Sequence, residues 1–311
     1  MLPFALEGKS VWVAGHGGMV GKALLRRLEG EPCTVLTAPR SVDLRNQAAV
    51  DDWFSTHRPD AVVMAAARVG GIMANATRPA EFLYDNLTIA TTVIDAAHRY
   101  DVGKLLFLGS SCIYPKLAAQ PIGEAALLTG PLEPTNEAYA IGKIAALKLA
   151  AAYRRQYGRD FISAMPTNLY GPGDNWDPDS SHVVPALIRK AHEAKIAGSE
   201  AMLVWGSGSP QREFLHVDDL ADACIKLLVD YSDEAPINVG YGEDITIARL
   251  ASLIAGIVGF NGHIVFETSK PDGTPRKVLD SSRMMALGWR PEITLEDGLR
   301  SAYAAFLREA A

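Results

Sequence analysis

Short apolar runs alternate with stretches of helical periodicity through the first half of the chain. The apolar runs predict strands at Ser10–Ala14, Thr34–Thr37, Ala61–Ala66, Lys104–Gly109 and Phe161–Met165. The periodic stretches predict helices at Met19–Leu28, Gln47–Thr56, Ala80–Tyr100 and Glu137–Tyr157. Strands that are apolar throughout and alternate with helices are typical of a parallel sheet covered on both faces. We therefore predict an α/β fold with a doubly wound parallel sheet.

The pattern changes after Pro166. Residues 166–182 are rich in Pro, Gly, Asn and Asp, which predicts a long loop of the kind that often carries function. Further helical stretches follow at His182–Ala194, Asp218–Asp230 and Leu295–Arg308. We predict a nucleotide-binding domain of residues 1–170 plus about 213–240. The remaining residues, about 171–212 and 241–311, form a smaller C-terminal α/β substrate lobe.

Composition and charge exclude several classes of protein. Hydrophobic residues make up 48% and charged residues 21% of the chain, as in ordinary globular proteins. A net charge of −6 argues against a nucleic-acid partner, which needs a basic face. No apolar run approaches the roughly 20 residues of a membrane span, and the N-terminus lacks a basic segment followed by an apolar one. We expect no nucleic-acid or membrane partner.

The cysteines and histidines point to a reducing compartment and to chemistry without a metal. Cys33, Cys112 and Cys224 form no CxxC pair, which favours a cytoplasmic location. The seven histidines contain no HxxxH pair, so we predict no metal site.

Three glycines stand between the first predicted strand and the first helix. Gly15, Gly18 and Gly21 in AGHGGMVG have GxxGxxG spacing. Such a turn lets the backbone approach a pyrophosphate, which then rests on the amides of the helix N-terminus. We therefore predict a Rossmann-type fold that binds a dinucleotide cofactor. The turn comprises Gly15, His16, Gly17, Gly18, Met19, Val20 and Gly21.

The end of the second strand indicates which cofactor is bound. A carboxylate at this position holds the ribose hydroxyl of NAD, but the chain has Arg40 in the segment TAPR. Arginine suits the 2′-phosphate of NADP(H), which we predict as the cofactor. Asp43 follows closely, and an approach to the adenine is the alternative for this carboxylate.

Tyr139 and Lys143 are four residues apart on a predicted helix and therefore project from the same face. A lysine ammonium near a tyrosine favours the phenolate, and we expect it to lower the pKa of Tyr139. Ser110 follows the fourth predicted strand, from which its hydroxyl can donate to the same carbonyl oxygen. The three residues predict general acid–base chemistry at a carbonyl.

The glycine turn, SSCIYP and YxxxK resemble the extended short-chain dehydrogenases that act on nucleotide sugars. Longer segments are similar to the GDP-L-fucose synthase family, over nearly the whole chain. They include LGSSCIYPKLAAQPIGE, LEPTNEAYAIGKIAALKL, MPTNLYGPGDN, SHVVPALIRK, VWGSGSPQREFLHVDDLA and KPDGTPRKVLD. The resemblance implies NADPH-dependent epimerisation and reduction of GDP-4-keto-6-deoxy-D-mannose to GDP-L-fucose. It also implies a homodimer formed through Ala80–Tyr100 and Glu137–Tyr157.

Two residues distinguish a double epimerase from a plain reductase. The motifs SSCIYP and SHVVPAL resemble family segments that hold a catalytic cysteine and histidine, here Cys112 and His182. Inversion at a carbon removes a proton from one face and returns one to the other, so two groups must flank the ring. We expect Cys112 to act as base, aided by a cationic neighbour, and His182 as acid.

The resemblance also implies the contacts to cofactor and substrate. Further cofactor contacts are expected from Leu108, Gly109, Ser110, Ser111, Lys143, Pro166, Thr167, Asn168, Leu169 and His182. A GDP-sugar carries two phosphate charges, for which Arg212 and Lys277 are the candidate cations. Trp205, Arg212 and Asp272 match substrate-contacting positions of the family.

Two positions depart from the family pattern. Lys190 stands where relatives tend to have arginine, so it keeps the charge without the bidentate fork. Gly17 stands where relatives often have arginine. Either Arg40 alone recognises the 2′-phosphate, or the cofactor preference is relaxed toward NADH.

Three other functions compete with this one. A 4-reductase or epimerase of a related nucleotide-keto sugar stays the main alternative. A cofactor-sensing protein without turnover is disfavoured, since such proteins typically lose the tyrosine or the lysine. A dehydratase is also disfavoured, because Ser111 and Cys112 stand where that enzyme usually has Asp-Glu.

Overall fold

A six-stranded parallel sheet forms the centre of the structure, a computed structural model that describes residues 4–270 and 272–310. The strands are β1 Ser10–Ala14, β2 Thr34–Leu36, β3 Ala61–Met64, β4 Lys104–Leu108, β5 Phe161–Pro166, β6 Asn168–Tyr170, β7 Ala201–Trp205, β8 Gln211–His216, β9 Ile237–Val239, β10 Asp244–Thr246, β11 His263–Glu267 and β12 Arg276–Lys277. The helices are α1 Met19–Leu28, α2 Gln47–His57, α3 Ile72–Thr77, α4 Pro79–Arg99, α5 Glu137–Tyr157, α6 Val183–Ile196, α7 Val217–Asp230, α8 Ile247–Val258, α9 Ser282–Ala286 and α10 Leu295–Glu309. Short 3-10 turns lie at Ser111–Ile113, Glu124–Ala126 and Pro134–Asn136.

The order of the strands creates a topological switch point between β1 and β3. The sheet runs β2-β1-β3-β4-β5-β9, with every neighbouring pair parallel. The chain leaves β1 toward β2 and then crosses to β3 on the other side. Sheets of this kind bind ligands outside the carboxyl ends of their strands at such a point. The glycine turn after β1 lies there.

Alternate side chains of β1 supply the two apolar cores of the sheet. Val11 and Val13 join the core beneath α1 and α7, whereas Trp12 joins the core beneath α2, α4 and α5. The fully buried Trp12 ring meets Phe54 of α2 edge-on, with 5.1 Å between the ring centroids. Burying each such side chain contributes about 1.5–3 kcal/mol. The doubly wound parallel sheet predicted from the sequence is confirmed.

A smaller α/β lobe is built around β8. Strands β6 and β12 pair with it in parallel and β10 pairs antiparallel, while β7 and β11 form a separate parallel pair. Helices α6, α8 and α10 pack onto these strands around a third apolar core, which includes Leu187, Val204 and Phe214. The lobe therefore has a core of its own.

The chain returns to the larger sheet after β8. Helix α7 packs against α1, and β9 is the outermost strand beside β5. Met284 of α9 and Trp289 join the same core as Val13. Residues beyond 240 therefore also contribute to the larger core, and the domain boundaries taken from the sequence stay a prediction.

The predicted loop over residues 166–182 is wrong in part. Asn168–Tyr170 forms β6 and pairs with Phe214–His216 of β8. A three-residue strand whose partner lies far along the chain leaves no periodic signal. Bounds for the helices α3, α8 and α9 are likewise not predicted, while the helices and strands that are predicted are confirmed with ends shifted by at most two residues.

Membrane-spanning helices are absent from the described residues. Across 4–270 and 272–310, each helix is either too short or too polar to cross a bilayer.

Candidate active site

The turn after β1 has room for backbone only. Gly15 has a φ of +92°, and a Cβ there would lie 2.6 Å from the backbone nitrogen of Ala66. A Cβ on Gly21 would lie 2.2 Å from the Gly15 carbonyl oxygen. Both positions require glycine, whereas a Cβ on Gly17 would meet no atom within 4 Å. We call residues 15–21 the cofactor cradle.

The N-terminus of α1 completes this cradle. Gly18 precedes the helix without a side-chain cap, and the first turn contains no acidic residue. The first amides of a helix lack intrahelical partners and attract anions. An open backbone surface beside these amides fits the pyrophosphate of a dinucleotide.

Arg40 and Asp43 follow β2 and differ in their contacts. Arg40 is exposed and forms no ion pair within the described part of the chain. Asp43 accepts hydrogen bonds from Arg45 at 2.9 and 3.0 Å, which lower the pKa of its carboxyl. The free guanidinium suits a phosphate, while Asp43 already has a partner.

The segments after β4 and at the end of β5 meet at the same edge of the sheet. The Gly109 amide donates to the Ala164 carbonyl at 2.9 Å, and a Cβ on Gly109 would lie 2.4 Å from the sulfur of Met165. The Thr167 amide donates to the Val239 carbonyl at 3.0 Å. This edge carries the predicted cofactor contacts Leu108, Gly109, Ser110, Ser111, Pro166, Thr167, Asn168 and Leu169.

Tyr139 and Lys143 lie one turn apart on α5. The buried Lys143 Nζ donates to the Leu108 carbonyl at 2.8 Å and lies 5.9 Å from the centre of the Tyr139 ring. Burial lowers the pKa of Lys143 to about 8. Burial and then the nearby Cys112 raise the pKa of Tyr139, against the hydrogen bond with Ser110, which lowers it.

The expected lowering of the Tyr139 pKa by Lys143 is therefore wrong for this structure. The lysine directs its hydrogen bond to a backbone carbonyl and is itself out of water, so it stabilises a phenolate poorly. Tyr139 stays protonated and suits a proton donor.

Cys112 follows β4, and its sulfur receives hydrogen bonds from side chains of other segments. Lys277 Nζ lies 3.5 Å and Asn136 Nδ2 lies 3.3 Å from Cys112 Sγ. Burial raises the pKa of the thiol, but Lys277, the hydroxyl of Ser110 and the Arg212 guanidinium together bring it below the ordinary value. A thiolate stabilised in this way can act as a base. We call Cys112, Asn136, Lys277 and Arg212 the thiol cluster.

The two cations of the thiol cluster come from the smaller lobe. Lys277 of β12 pairs in register with Arg212 of β8. Arg212 Nη1 donates to the Gln211 carbonyl at 2.8 Å, and burial lowers the pKa of its guanidinium. The lobe thus brings positive charge to the thiol and to any anionic ligand beside it.

His182 immediately precedes α6, at the end of the long loop. The residue as a whole is exposed, and desolvation of its ring by the surrounding protein lowers the pKa of the imidazole. The end of the loop is held by the Gly71 amide, which donates to the Ser180 carbonyl at 3.0 Å. No hydrogen bond among the described residues joins His182 to Cys112, so its role as acid stays a prediction.

Trp205 ends β7, and two lysines lie near its ring. Lys190 Nζ is 4.8 Å and Lys270 Nζ is 5.2 Å from the ring, and 52% of Trp205 is exposed. Lys190 also donates to the Leu203 carbonyl at 3.1 Å, which fixes its position. An exposed indole flanked by cations suits a planar base that carries anionic groups.

Asp272 organises the turn that follows Trp205. Its carboxylate accepts hydrogen bonds from the Ser207 amide at 2.7 Å and the Ser207 hydroxyl at 2.8 Å. Gly206 has a φ of +84°, which favours glycine, and a Cβ there would lie 2.4 Å from Asp272 Oδ1. The structure therefore assigns Asp272 a protein contact, and a direct substrate contact stays a prediction.

Sequence reasoning missed Asn136 and Lys270. An asparagine immediately before a helix ordinarily indicates an N-cap. The position of Asn136 therefore predicts a capping role and not a contact with Cys112. Lys270 belongs to no motif, and only the folding of the lobe brings it to Trp205.

Comparison of the chain with known protein families agrees with a nucleotide-binding site at this edge of the sheet. The profile of the NAD dependent epimerase/dehydratase family matches residues 11–240. The chain belongs to this family of enzymes. A GDP-L-fucose synthase from Sinorhizobium fredii (strain NBRC 101917 / NGR234) is 58% identical, over 99% of this chain and 98% of its own length. The resemblance to GDP-L-fucose synthases that the motifs indicate is thereby confirmed.

Solved structures are similar over the whole chain. A GDP-L-fucose synthetase from Naegleria fowleri bound to NADP has a TM-score of 0.89 at 30% identity, covering 99% of this chain and 95% of that one. A GDP-6-OMe-4-keto-L-xylo-heptose reductase from C. jejuni has a TM-score of 0.91 at 32% identity, covering 99% of both chains. The prediction of a nicotinamide cofactor is confirmed.

Proposed function

We propose that this protein converts GDP-4-keto-6-deoxy-D-mannose to GDP-L-fucose with NADPH, by epimerisation at C3 and C5 and reduction at C4. The observation that carries the proposal is the Cys112 thiol, which receives hydrogen bonds from Lys277 and Asn136 close to Ser110 and Tyr139. A plain reductase uses the hydroxyls of Ser110 and Tyr139 but has no need of a stabilised thiolate. The similarity to the synthase of Sinorhizobium fredii supports the same substrate.

The epimerisations depend on the C4 ketone, which makes the hydrogens on C3 and C5 acidic. A carbanion at C3 or C5 delocalises onto the C4 oxygen, where Ser110 and Tyr139 donate hydrogen bonds to the enolate. Cys112 removes a proton from one face of the ring, and His182 returns one to the other. Each inversion leaves the cysteine protonated and the histidine neutral, so both exchange a proton with water before the second inversion.

The reduction needs a hydride and a proton at C4. The nicotinamide supplies the hydride when the cofactor is bound. Tyr139, which its raised pKa keeps protonated at neutral pH, gives its proton to the C4 oxygen as negative charge develops there. Lys143, fixed by the Leu108 carbonyl, holds a positive charge beside the ring and assists this transfer.

Arg40 selects NADPH over NADH in this proposal. Its guanidinium is exposed beyond β2, and the open position Gly17 adds no second charge. Arg40→Ala should therefore raise the KM for NADPH at least tenfold and leave the KM for NADH unchanged, which steady-state kinetics with both cofactors measures. Equal effects on both cofactors would contradict this role.

The GDP moiety binds across the smaller lobe. Trp205, flanked by Lys190 and Lys270, receives the guanine, and Arg212 faces the diphosphate. Lys277 already donates to the thiol, so its charge serves the base first and the phosphates second.

The decisive experiment is one reaction in D₂O with GDP-4-keto-6-deoxy-D-mannose and NADPH, followed by NMR of the product. We expect GDP-L-fucose with deuterium at C3 and C5 and one NADPH consumed per product. Cys112→Ser should remove the deuterium at both carbons. Exchange that continues in this variant would refute the role of Cys112.

A 4-reductase of a related nucleotide-keto sugar is the second candidate. The likeness to the heptose reductase from C. jejuni favours it. In the same experiment this function gives a reduced sugar without deuterium at C3 and C5.

We also infer a homodimer formed by α4 and α5. These helices pack against each other, and their outer surface exposes Tyr84 and Ile141. Ala145 lies on the outer surface of α5, where a small side chain permits close packing. Light scattering should give twice the mass of one chain for the parent and the monomer mass for Ala145→Glu.

A cytoplasmic location completes the proposal. Cys33, Cys112 and Cys224 are free, which a reducing compartment maintains.

A further inference from the structure

Asn136 occupies the position before α5 at which asparagine usually caps a helix, yet its side chain makes no capping hydrogen bond. Asn46 provides a contrast within the same chain. Its side chain accepts from the Ala48 and Ala49 amides at 3.0 and 3.2 Å and caps α2. Asn136 therefore forgoes a cap worth about 1 kcal/mol.

The Asn136 amide is directed at the reaction centre instead. Its Nδ2 lies 3.3 Å from Cys112 Sγ. Its Oδ1 is buried and has no partner among the described residues. An unpaired buried oxygen costs free energy, so the contact with the sulfur must favour this orientation. An amide N–H donates more strongly to a thiolate than to a neutral thiol.

The backbone around Asn136 is held from outside the site. Its amide donates to the Glu133 carbonyl at 3.1 Å, which closes the 3-10 turn. The Glu133 carboxylate pairs with Lys116 at 2.9 Å and accepts from the Thr135 amide at 3.4 Å. The turn is thus a fixed support for the side chain.

We propose that Asn136 is a positioning residue that holds the sulfur of Cys112 as a thiolate directed toward the substrate. The proposal rests on the function proposed for Cys112 as a base. Lys277 from β12 and Arg212 from β8 face the sulfur with positive charge, and Tyr139 from α5 faces it as a neutral phenol. The cations and the Asn136 amide together stabilise the charge of the sulfur, and the amide also sets its direction.

The test measures the thiolate directly, without substrate or cofactor. The rate of iodoacetamide alkylation at Cys112, followed by peptide mass spectrometry from about pH 5 to 10, gives the midpoint of thiol ionisation. In Asn136→Ala we expect this midpoint to rise by about one pH unit. Cys33 serves as the internal reference, since it lies outside the thiol cluster and burial raises the pKa of its thiol.

Two further variants separate a hydrogen bond from a packing effect. Asn136→Asp keeps the size of the side chain but places a carboxylate at the sulfur, so the midpoint should rise further than in Asn136→Ala. If Asn136→Ala fails to fold, Asn136→Asp alone still tests whether the hydrogen bond to the sulfur stabilises the thiolate. Asn46→Ala removes a true cap, so it should lower the melting temperature and leave the Cys112 profile unchanged.

Profiles of Asn136→Ala and Asn136→Asp that coincide with that of the parent would overturn the proposal. A profile that shifts only in Asn136→Ala would also overturn it, since shape alone would then be the cause. Because no sugar takes part, either result leaves the proposed substrate untouched. A wrong substrate in the D₂O experiment likewise leaves the alkylation result intact.

Discussion

The cofactor cradle and the thiol cluster belong to one candidate active site, but they are built differently. The cradle is the backbone of one continuous turn, in which Gly15 and Gly21 leave no room for a side chain. The thiol cluster gathers side chains that follow β4, precede α5 and lie on β8 and β12. The first is a steric site and the second an electrostatic one. Added atoms should damage the cradle most, and altered charge should damage the cluster most.

The largest effect is expected where the cradle gains one carbon. Gly21→Ala places a Cβ 2.2 Å from the Gly15 carbonyl oxygen and 2.5 Å from His16 Cα, so the backbone has to move. A strain of about 1–3 kcal/mol weakens cofactor binding roughly 5- to 150-fold. Fluorescence titration with NADPH measures this loss.

Gly17→Ala is the matched control for the cradle. Its new methyl group would meet no protein atom within 4 Å, so it should not strain the turn, and NADPH binding should weaken much less than in Gly21→Ala. Equal losses in both variants would show that the cradle is not a steric site.

The thiol cluster should respond to charge rather than size. Lys277→Met keeps a long side chain but removes the cation 3.5 Å from the sulfur. The midpoint of Cys112 alkylation should rise by about 1–2 pH units, while NADPH binding should not change. An unaltered midpoint would mean that the lysine does not stabilise the thiolate.

Trp205 tests how far the electrostatic site extends into the lobe. Trp205→Ala removes the surface on which the lysines at 190 and 270 lie, so GDP binding should weaken about tenfold. Trp205→Phe keeps an aromatic face and should lose less. Calorimetry with GDP distinguishes the two, and equal affinities for all three proteins would exclude a stacking role.

The smallest expected effect lies in the loop between β6 and α6. Burial raises the pKa of Asp174 to about 7, and its Oδ2 has no partner in the described structure. The folded protein thus binds a proton that the unfolded chain releases at lower pH. The stability this contributes is complete below about pH 4 and is lost as the pH rises through 7. Asp174→Asn should therefore raise the melting temperature more at about pH 8 than at pH 4.

Asp177 in the same loop gives the opposite sign. Hydrogen bonds from Ser180 and from the Asp179 amide lower the pKa of its carboxyl. Its contribution is present above the unfolded pKa and is lost as the pH falls. Asp177→Asn should lower the melting temperature at about pH 8 and have less effect at acid pH. The same slope in both variants would contradict these assignments.

The amino-acid sequence determined the sheet, the cradle and the pair Tyr139–Lys143. Apolar strands and amphipathic helices are periodic, and a glycine turn or a spacing of four residues is local. Such features depend on neighbouring residues, so they are visible before folding. The strand Asn168–Tyr170 is not predicted from the sequence, because its partner on β8 lies far along the chain.

Only the tertiary structure decided the electrostatics of the site. It placed Lys277 and Asn136 on the sulfur of Cys112, and it buried Tyr139 beside Cys112, so that the pKa of the phenol rises rather than falls. The physical reason is that a pKa depends on burial and on charges within a few ångströms. The residues that surround Cys112 and Tyr139 are far apart in the sequence, and the sequence alone does not show that folding brings them together.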